Sequence, residues 1–225
     1  VFLLLRLLYG RRVLARWRRA ARPADARRLA GVLDAVRSAL GVTNLPPILL
    51  SPLAAGPSAV GVLHRSVLLP DGLIGSLDDG QLRDVLIHEC AHLLRRDPLV
   101  GLLQRLAEAL FWPHLLIHYL NRRLARAREE GCDDYVLRAG DARVYARTLL
   151  TLAEGGVRLP VGAPGLFGSN WKLEDRVAGL LDPRRTPMTR VNPWTVAAVA
   201  AVLLAACLAG AAVRPAEPAG EKAIA

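Results

Sequence analysis

Cysteine is scarce in this chain. Its three residues, Cys90, Cys132 and Cys207, are widely spaced and odd in number. That excludes a disulfide framework and suits a reducing compartment. Aromatic residues make up only 5% of the sequence. The many arginines therefore lack interleaved stacking partners, which argues against a nucleic-acid surface despite a net charge of +10. There is no internal repeat, no Gly-rich phosphate loop and no Ser/His/Asp arrangement. Histidine is sparse too, with five residues in 225. A methionine does not open the chain; Val1 does, so a fragment of a longer protein is expected.

What is present is concentrated in one pentapeptide, His88-Glu89-Cys90-Ala91-His92. The surrounding residues predict a helix: Gln81 through Arg96 contains neither Gly nor Pro. Leu82, Val85, Leu86 and Leu93 give it an apolar surface, and Pro98 marks its end. Ser76 is read as its N-cap, with Asp79 at N3. Histidines four apart lie on one helix face, one turn above each other, so both imidazoles can reach one metal ion. Glu89 between them can act as general base on a water at that ion. Two satisfied core histidines beside an exposed glutamate are the structural alternative. Cys90 reads as a small buried hydrophobe. His114 and His118 are also four apart, but with no acid between them they read as packing or lining residues.

A catalytic zinc site takes three protein ligands and one open position. The segment 126–134, Arg-Ala-Arg-Glu-Glu-Gly-Cys-Asp-Asp, offers Glu129 as a ligand. Asp133, one turn on, could receive a hydrogen bond from the far nitrogen of a ligating imidazole. A solvated charged helix would account for the same composition. Taken together, the runs 84–92, 95–97, 111–114, 121–124 and 128–134, with the short strand region ending at Pro70, resemble the BlaR/MecR-type family of membrane zinc metallopeptidases. These are gluzincin-like signal-transducer peptidases. The likeness covers roughly residues 40 to 180. It implies that His88, His92 and Glu129 bind Zn2+, that Glu89 is the catalytic base and that Asp133 supports a ligand. It also implies cleavage of a cytoplasmic regulatory protein such as a transcriptional repressor.

The expected fold class is α+β: a mainly helical, zincin-like (gluzincin) peptidase domain with a small β-sheet, followed by a C-terminal transmembrane helix. The layout is a basic membrane-proximal segment over 1–22, the peptidase domain over 23–182, a linker over 183–193, a membrane span over 194–213 and a tail over 214–225. The span rests on twenty uncharged apolar residues. Arginine clusters after residues 1–9 and before residue 194 place both flanks, and the domain between them, on the cytoplasmic side of a multi-pass protein. Within the domain, a helix is expected from Pro23 to Leu40, with Gly41 as its stop. Strands are expected over 45–51, 59–63 and 66–69. The region 99–120 is read as packed helix broken at Pro113, 141–154 as helix, 155–171 as a loop and 172–181 as a short helix. An edge strand would hold substrate by strand addition. The oxyanion donor is left open among Tyr119, Tyr135, His64 and His114. Expected partners are a protein substrate, a lipid bilayer and, in a homodimer, a second copy of the chain; nucleic acid is not expected. A non-catalytic membrane signalling scaffold that retains a zinc-binding fold is the alternative function.

Overall fold

The strand Ser66–Pro70 is the most buried segment of the sheet, with Ser66, Val67, Leu68 and Leu69 all out of solvent. A strand hidden on both faces is apolar throughout, not alternating, and the run Val-Leu-Leu fits. We describe it in a computed structural model covering residues 2–25, 27–154 and 173–185, together with positions 194, 198 and 201. The chain divides into two compact units, Val1–Thr189 and Arg190–Ala225. The first unit holds the sheet and the helices around it.

Its elements, in order, are α1 (Phe2–Arg19), β1 (Arg22–Pro23), α2 (Ala30–Leu40), β2 (Ile48–Ser51), β3 (Ser58–Val60), β4 (Ser66–Pro70), α3 (Leu73–Ser76), α4 (Asp79–Leu94), α5 (Asp97–Leu110), α6 (Leu115–Ala139), α7 (Ala142–Glu154) and α8 (Leu173–Leu180). The architecture is mainly helical with one small sheet, as the sequence implies. The sheet order is β1-β2-β4-β3. β2 and β4 run parallel, Ile48 opposite Val67 and Leu50 opposite Leu69, while β1 and β3 pair antiparallel on the outside. Proline at the β1 edge is tolerated because its missing N–H is needed by no further strand. The β3–β4 connection turns on Gly61, whose φ is 91°. A Cβ there would lie 2.1 Å from the His64 carbonyl oxygen.

α4 is buried almost all round, with every residue from Asp84 to Ala91 out of solvent. It packs against the sheet and against α2, α5, α6 and α7. Leu82, Leu86, Ile87 and Leu93 join one core with Val36, Val67, Leu69, Tyr145 and Leu149. Each buried leucine or isoleucine contributes about 1.5–3 kcal/mol. The helix therefore takes its stability from packing more than from intrinsic propensity.

Several expected boundaries move. The α4 cap is Asp78, whose carboxylate accepts from the Gln81 amide at 2.8 Å, while the Gln81 side chain accepts from the Asp78 N–H at 3.2 Å. Ser76 instead donates to the Leu73 carbonyl and closes α3. α2 begins at Ala30, not Pro23, because Arg22 and Pro23 are taken into the sheet. It stops, as expected, at Gly41 in the left-handed region. α4 ends at Leu94, and Pro98 opens α5 within its first two positions, where a missing N–H costs nothing. Residues 2–9 and the basic stretch after them, as far as Arg19, fall on the single helix α1, and the Ser51 hydroxyl ties it to β2 by donating to the Trp17 carbonyl at 3.0 Å. The expected loop over 155–171 lies outside the described residues, as does the membrane span over 194–213 apart from three helical positions. Among the described residues no helix is long and apolar enough to cross a membrane.

Candidate functional site

His88 and His92 sit one turn apart on α4, and Glu129 reaches them from the middle of α6. The two Nε2 atoms face each other at 3.2 Å, with the rings nearly perpendicular at 84°. The Glu129 carboxylate oxygens lie 3.6 Å from His88 Nε2 and 3.7 Å from His92 Nε2. Two imidazole nitrogens aimed at one point either share a proton or donate to a common cation. Ligands about 2.0–2.1 Å from a tetrahedral zinc stand about 3.3 Å apart, close to the separations found here. The donor set, two nitrogens and one carboxylate, also suits that ion.

Each imidazole is oriented from behind. His88 Nδ1 lies 3.0 Å from the Asp133 carboxylate, and His92 Nδ1 lies 2.8 Å from that of Asp97. A proton held on Nδ1 leaves the lone pair on Nε2, which faces the site. Asp133 follows Glu129 by one turn of α6, and that spacing brings one carboxylate to each side of His88. Asp97 arrives by a different route. Arg96 adopts a left-handed conformation, φ 59°, at a cost of about 1–2 kcal/mol. That turn brings the buried first residue of α5 back beneath His92.

Behind Asp133 lies a cluster that the sequence does not announce. Tyr145 of α7 donates to Asp133 Oδ1 at 2.7 Å. Arg176 of α8 donates to Asp133 through Nε at 2.9 Å and Nη2 at 2.5 Å. The same guanidinium approaches His88 Nδ1 at 3.2 Å and Glu129 at 3.6 Å. Asp133 is fully buried, so its charge is carried by these partners. Burial opposes its ionisation, yet Arg176 and His88 hold its carboxyl well below the usual range. Burial likewise works against Glu129, but His88, His92 and Arg176 bring it down to about 2. For His88, burial and Arg176 oppose protonation; the hydrogen bonds to Asp133 and Glu129 prevail and lift it to about 9.

Glu89 is buried beside His88 on α4. Cys90 is buried among apolar residues, and desolvation pushes its thiol up to about 12. Cys132 lies 3.2 Å from His92 Nδ1 and, with His92 and Asp97, forms a second group of ligand-type atoms. Burial holds its thiol neutral, and Asp97 already occupies the nitrogen it faces. This group therefore reads as support for His92. Gly131 makes room on the same face: a Cβ there would lie 2.8 Å from the Arg95 guanidinium. Arg185 closes the far side of α6, donating to Asp134 Oδ1 at 2.6 Å and to the Glu130 carbonyl at 2.8 Å.

Of the residues named from sequence, His88, His92, Glu129 and Asp133 converge, and Glu89 is buried next to His88 on the same helix. Of the four oxyanion candidates, Tyr119, His64 and His114 are exposed and Tyr135 packs against the core. What the fold brings to the cluster instead is Tyr145 and Arg176. Asp97 could have been suspected from its place just past the α4 helix; Tyr145 sits among apolar neighbours and Arg176 among ordinary surface residues, so neither carried a signal.

Comparison with known proteins gives the family. The chain is 29% identical over 97 residues to the Regulatory protein BlaR1 of Bacillus licheniformis, a match covering 43% of this chain and 16% of that protein. The chain spans well under two thirds of that relative's length. The family model described as BlaR1 peptidase M56 matches residues 1–180, through both the paired histidines and the later carboxylates. The chain belongs to the BlaR1 peptidase M56 family.

Proposed function

We propose that the chain is a membrane-associated, zinc-dependent endopeptidase of zincin-like (gluzincin) type that cuts a regulatory protein, with a transcriptional repressor as the substrate class. One observation carries the reading: two Nε2 atoms and one carboxylate converge from α4 and α6 at spacings a single tetrahedral cation would impose. His88, His92 and Glu129 would hold the ion, with Asp133 and Asp97 fixing the imidazoles. When bound, zinc would polarise the scissile carbonyl and acidify a water. Glu89, adjacent to a ligand on α4 and buried, would serve as the general base and then as the acid for the leaving amine. Arg176 holds Asp133 ionised and so keeps the His88 proton on Nδ1. The edge strand β3, packed against α4, is where an extended substrate would add to the sheet. The name of the Bacillus relative supports a regulatory role.

Among the described residues the ligand group at the two Nε2 atoms contains three members. A structural zinc site takes four, so this count favours a catalytic site over a scaffold. The test combines metal analysis of the purified chain with a cleavage assay on a co-encoded repressor. One equivalent of zinc and a specific cut are expected. Glu89→Gln should keep the metal and lower cleavage by about 10²–10⁴-fold. Full activity in that variant refutes the assigned base, and a metal-free chain that still cleaves refutes the whole reading.

A further inference from the structure

The tip of the α5–α6 hairpin turns its largest apolar side chains outward. Leu115 is 84% exposed, Leu110 75% and Trp112 65%, and Phe111, Leu116 and Tyr119 are each more than half exposed. On α6 the exposure recurs at Leu120 and Leu124, a four-residue spacing that keeps one face apolar. Folded proteins in water seldom present so much contiguous apolar surface without a partner for it.

This tip is well built. The His114 N–H donates to the Phe111 carbonyl at 2.9 Å. His118 Nε2 donates to the Trp112 carbonyl at 2.8 Å, and its Nδ1 faces Glu108 at 3.1 Å. Glu108 also pairs with Arg105, and the Asn121 amide donates to the Gln104 carbonyl at 3.3 Å. His118, Glu108 and Asn121 are thus paired inside the hairpin while the large apolar side chains of its tip are held outside. No acid occurs from Ala109 to Arg128, whereas Arg122 and Arg123 stand exposed just behind the tip.

We propose that this hairpin tip is a membrane-interface anchor, seating Leu110, Trp112 and Leu115 at the headgroup boundary of a bilayer that carries anionic lipid. Trp and Tyr favour that depth because their rings are apolar with one polar edge. Arg122 and Arg123 would meet lipid phosphates. A second copy of the chain is the competing occupant, but it would bring two acid-free, arginine-bearing surfaces together. Glu129 lies fourteen helical steps beyond Leu115, about 21 Å at 1.5 Å per residue. The anchor would therefore set the distance between the histidine cluster and the lipid. It requires no spanning helix, so it stands apart from the expected span over 194–213.

The test uses the full chain with Trp17, Trp171 and Trp194 changed to Phe, so that Trp112 alone reports. The chain is reconstituted with phosphatidylcholine, with or without phosphatidylglycerol. Blue-shifted emission and quenching by dibrominated lipid are expected, about three-fold stronger with the anionic lipid. Leu110→Asp/Leu115→Asp, at two solvent-exposed positions, should remove the quenching and leave metal content unchanged. Equal quenching in this double variant, no response to brominated lipid, or a lipid-free blue shift that grows with protein concentration would each overturn the proposal.

Discussion

Replacing Asp133 by Asn tests whether fold and site are separable. The carboxylate is fully buried and meets two guanidinium nitrogens of Arg176, the Tyr145 hydroxyl and His88 Nδ1, all within 3.0 Å. Asn keeps the shape but loses the charge, and its NH2 group must face a donor. Removing one member of a buried ion pair costs about 3–5 kcal/mol, because the other charge is left without compensation. Since Asn retains one acceptor, the lower end applies, about 3 kcal/mol. For a chain of this size that lowers Tm by roughly 6–12 °C. Adding Arg176→Met removes the cation, then left with only Glu129 as a carboxylate partner at 3.6 Å, and the double variant should return to within about 2 kcal/mol of the parent. Zinc affinity should behave differently. It falls about 10–100-fold in both the single and the double variant, since His88 has lost its carboxylate in each. Thermal unfolding of the metal-free protein measures the first effect, and competition with a chromophoric chelator the second. Strictly additive destabilisation in the double variant, or unchanged zinc affinity in Asp133→Asn, would refute this account of the cluster.

Other outcomes follow from the same geometry. Glu129→Ala should lose stoichiometric zinc while His88 and His92 remain, as read by metal analysis. In the metal-free protein His88 is raised from 6.5 to about 9. The stability it contributes is complete below pH 6.5 and disappears as pH rises through about 9, a fall of about 3 kcal/mol. Glu129, lowered from 4.5 to about 2, contributes above pH 4.5 and stops contributing as pH falls through about 2. Urea unfolding across pH would show a plateau between 4.5 and 6.5, and a flat profile from pH 6.5 to 9 would contradict the His88 assignment. Gly61→Ala should destabilise the sheet by on the order of 3 kcal/mol, because both its φ and the His64 carbonyl exclude a Cβ. An unchanged urea midpoint would show that the turn can relax.

The ligand helix was legible because one local pattern carries both its structure and its chemistry. A four-residue histidine spacing within a Gly- and Pro-free run fixes the face, and Glu129 with Asp133 repeats the device on α6. The cap was misplaced by two residues for a physical reason. Asp78 and Gln81 can exchange hydrogen bonds in both directions, whereas Ser76 is already bound to Leu73. α2 was read too long because helix periodicity does not register that Arg22 and Pro23 pair with residues 49 and 50. Tyr145 and Arg176 were invisible because their roles come from long-range packing. They lie 12 and 43 residues beyond Asp133, and nothing local distinguishes a tyrosine that reaches a buried carboxylate from one that fills a core.

The order of these residues along the chain has a consequence for biosynthesis. Both imidazoles and both α6 carboxylates are translated before Arg176, so the cation that neutralises Asp133 is the last charged member of the cluster to leave the ribosome. Until α8 emerges, that carboxylate has only His88 and the Tyr145 hydroxyl as partners. A chain cut short before residue 173 would carry every ligand and still lack the guanidinium that donates twice to Asp133.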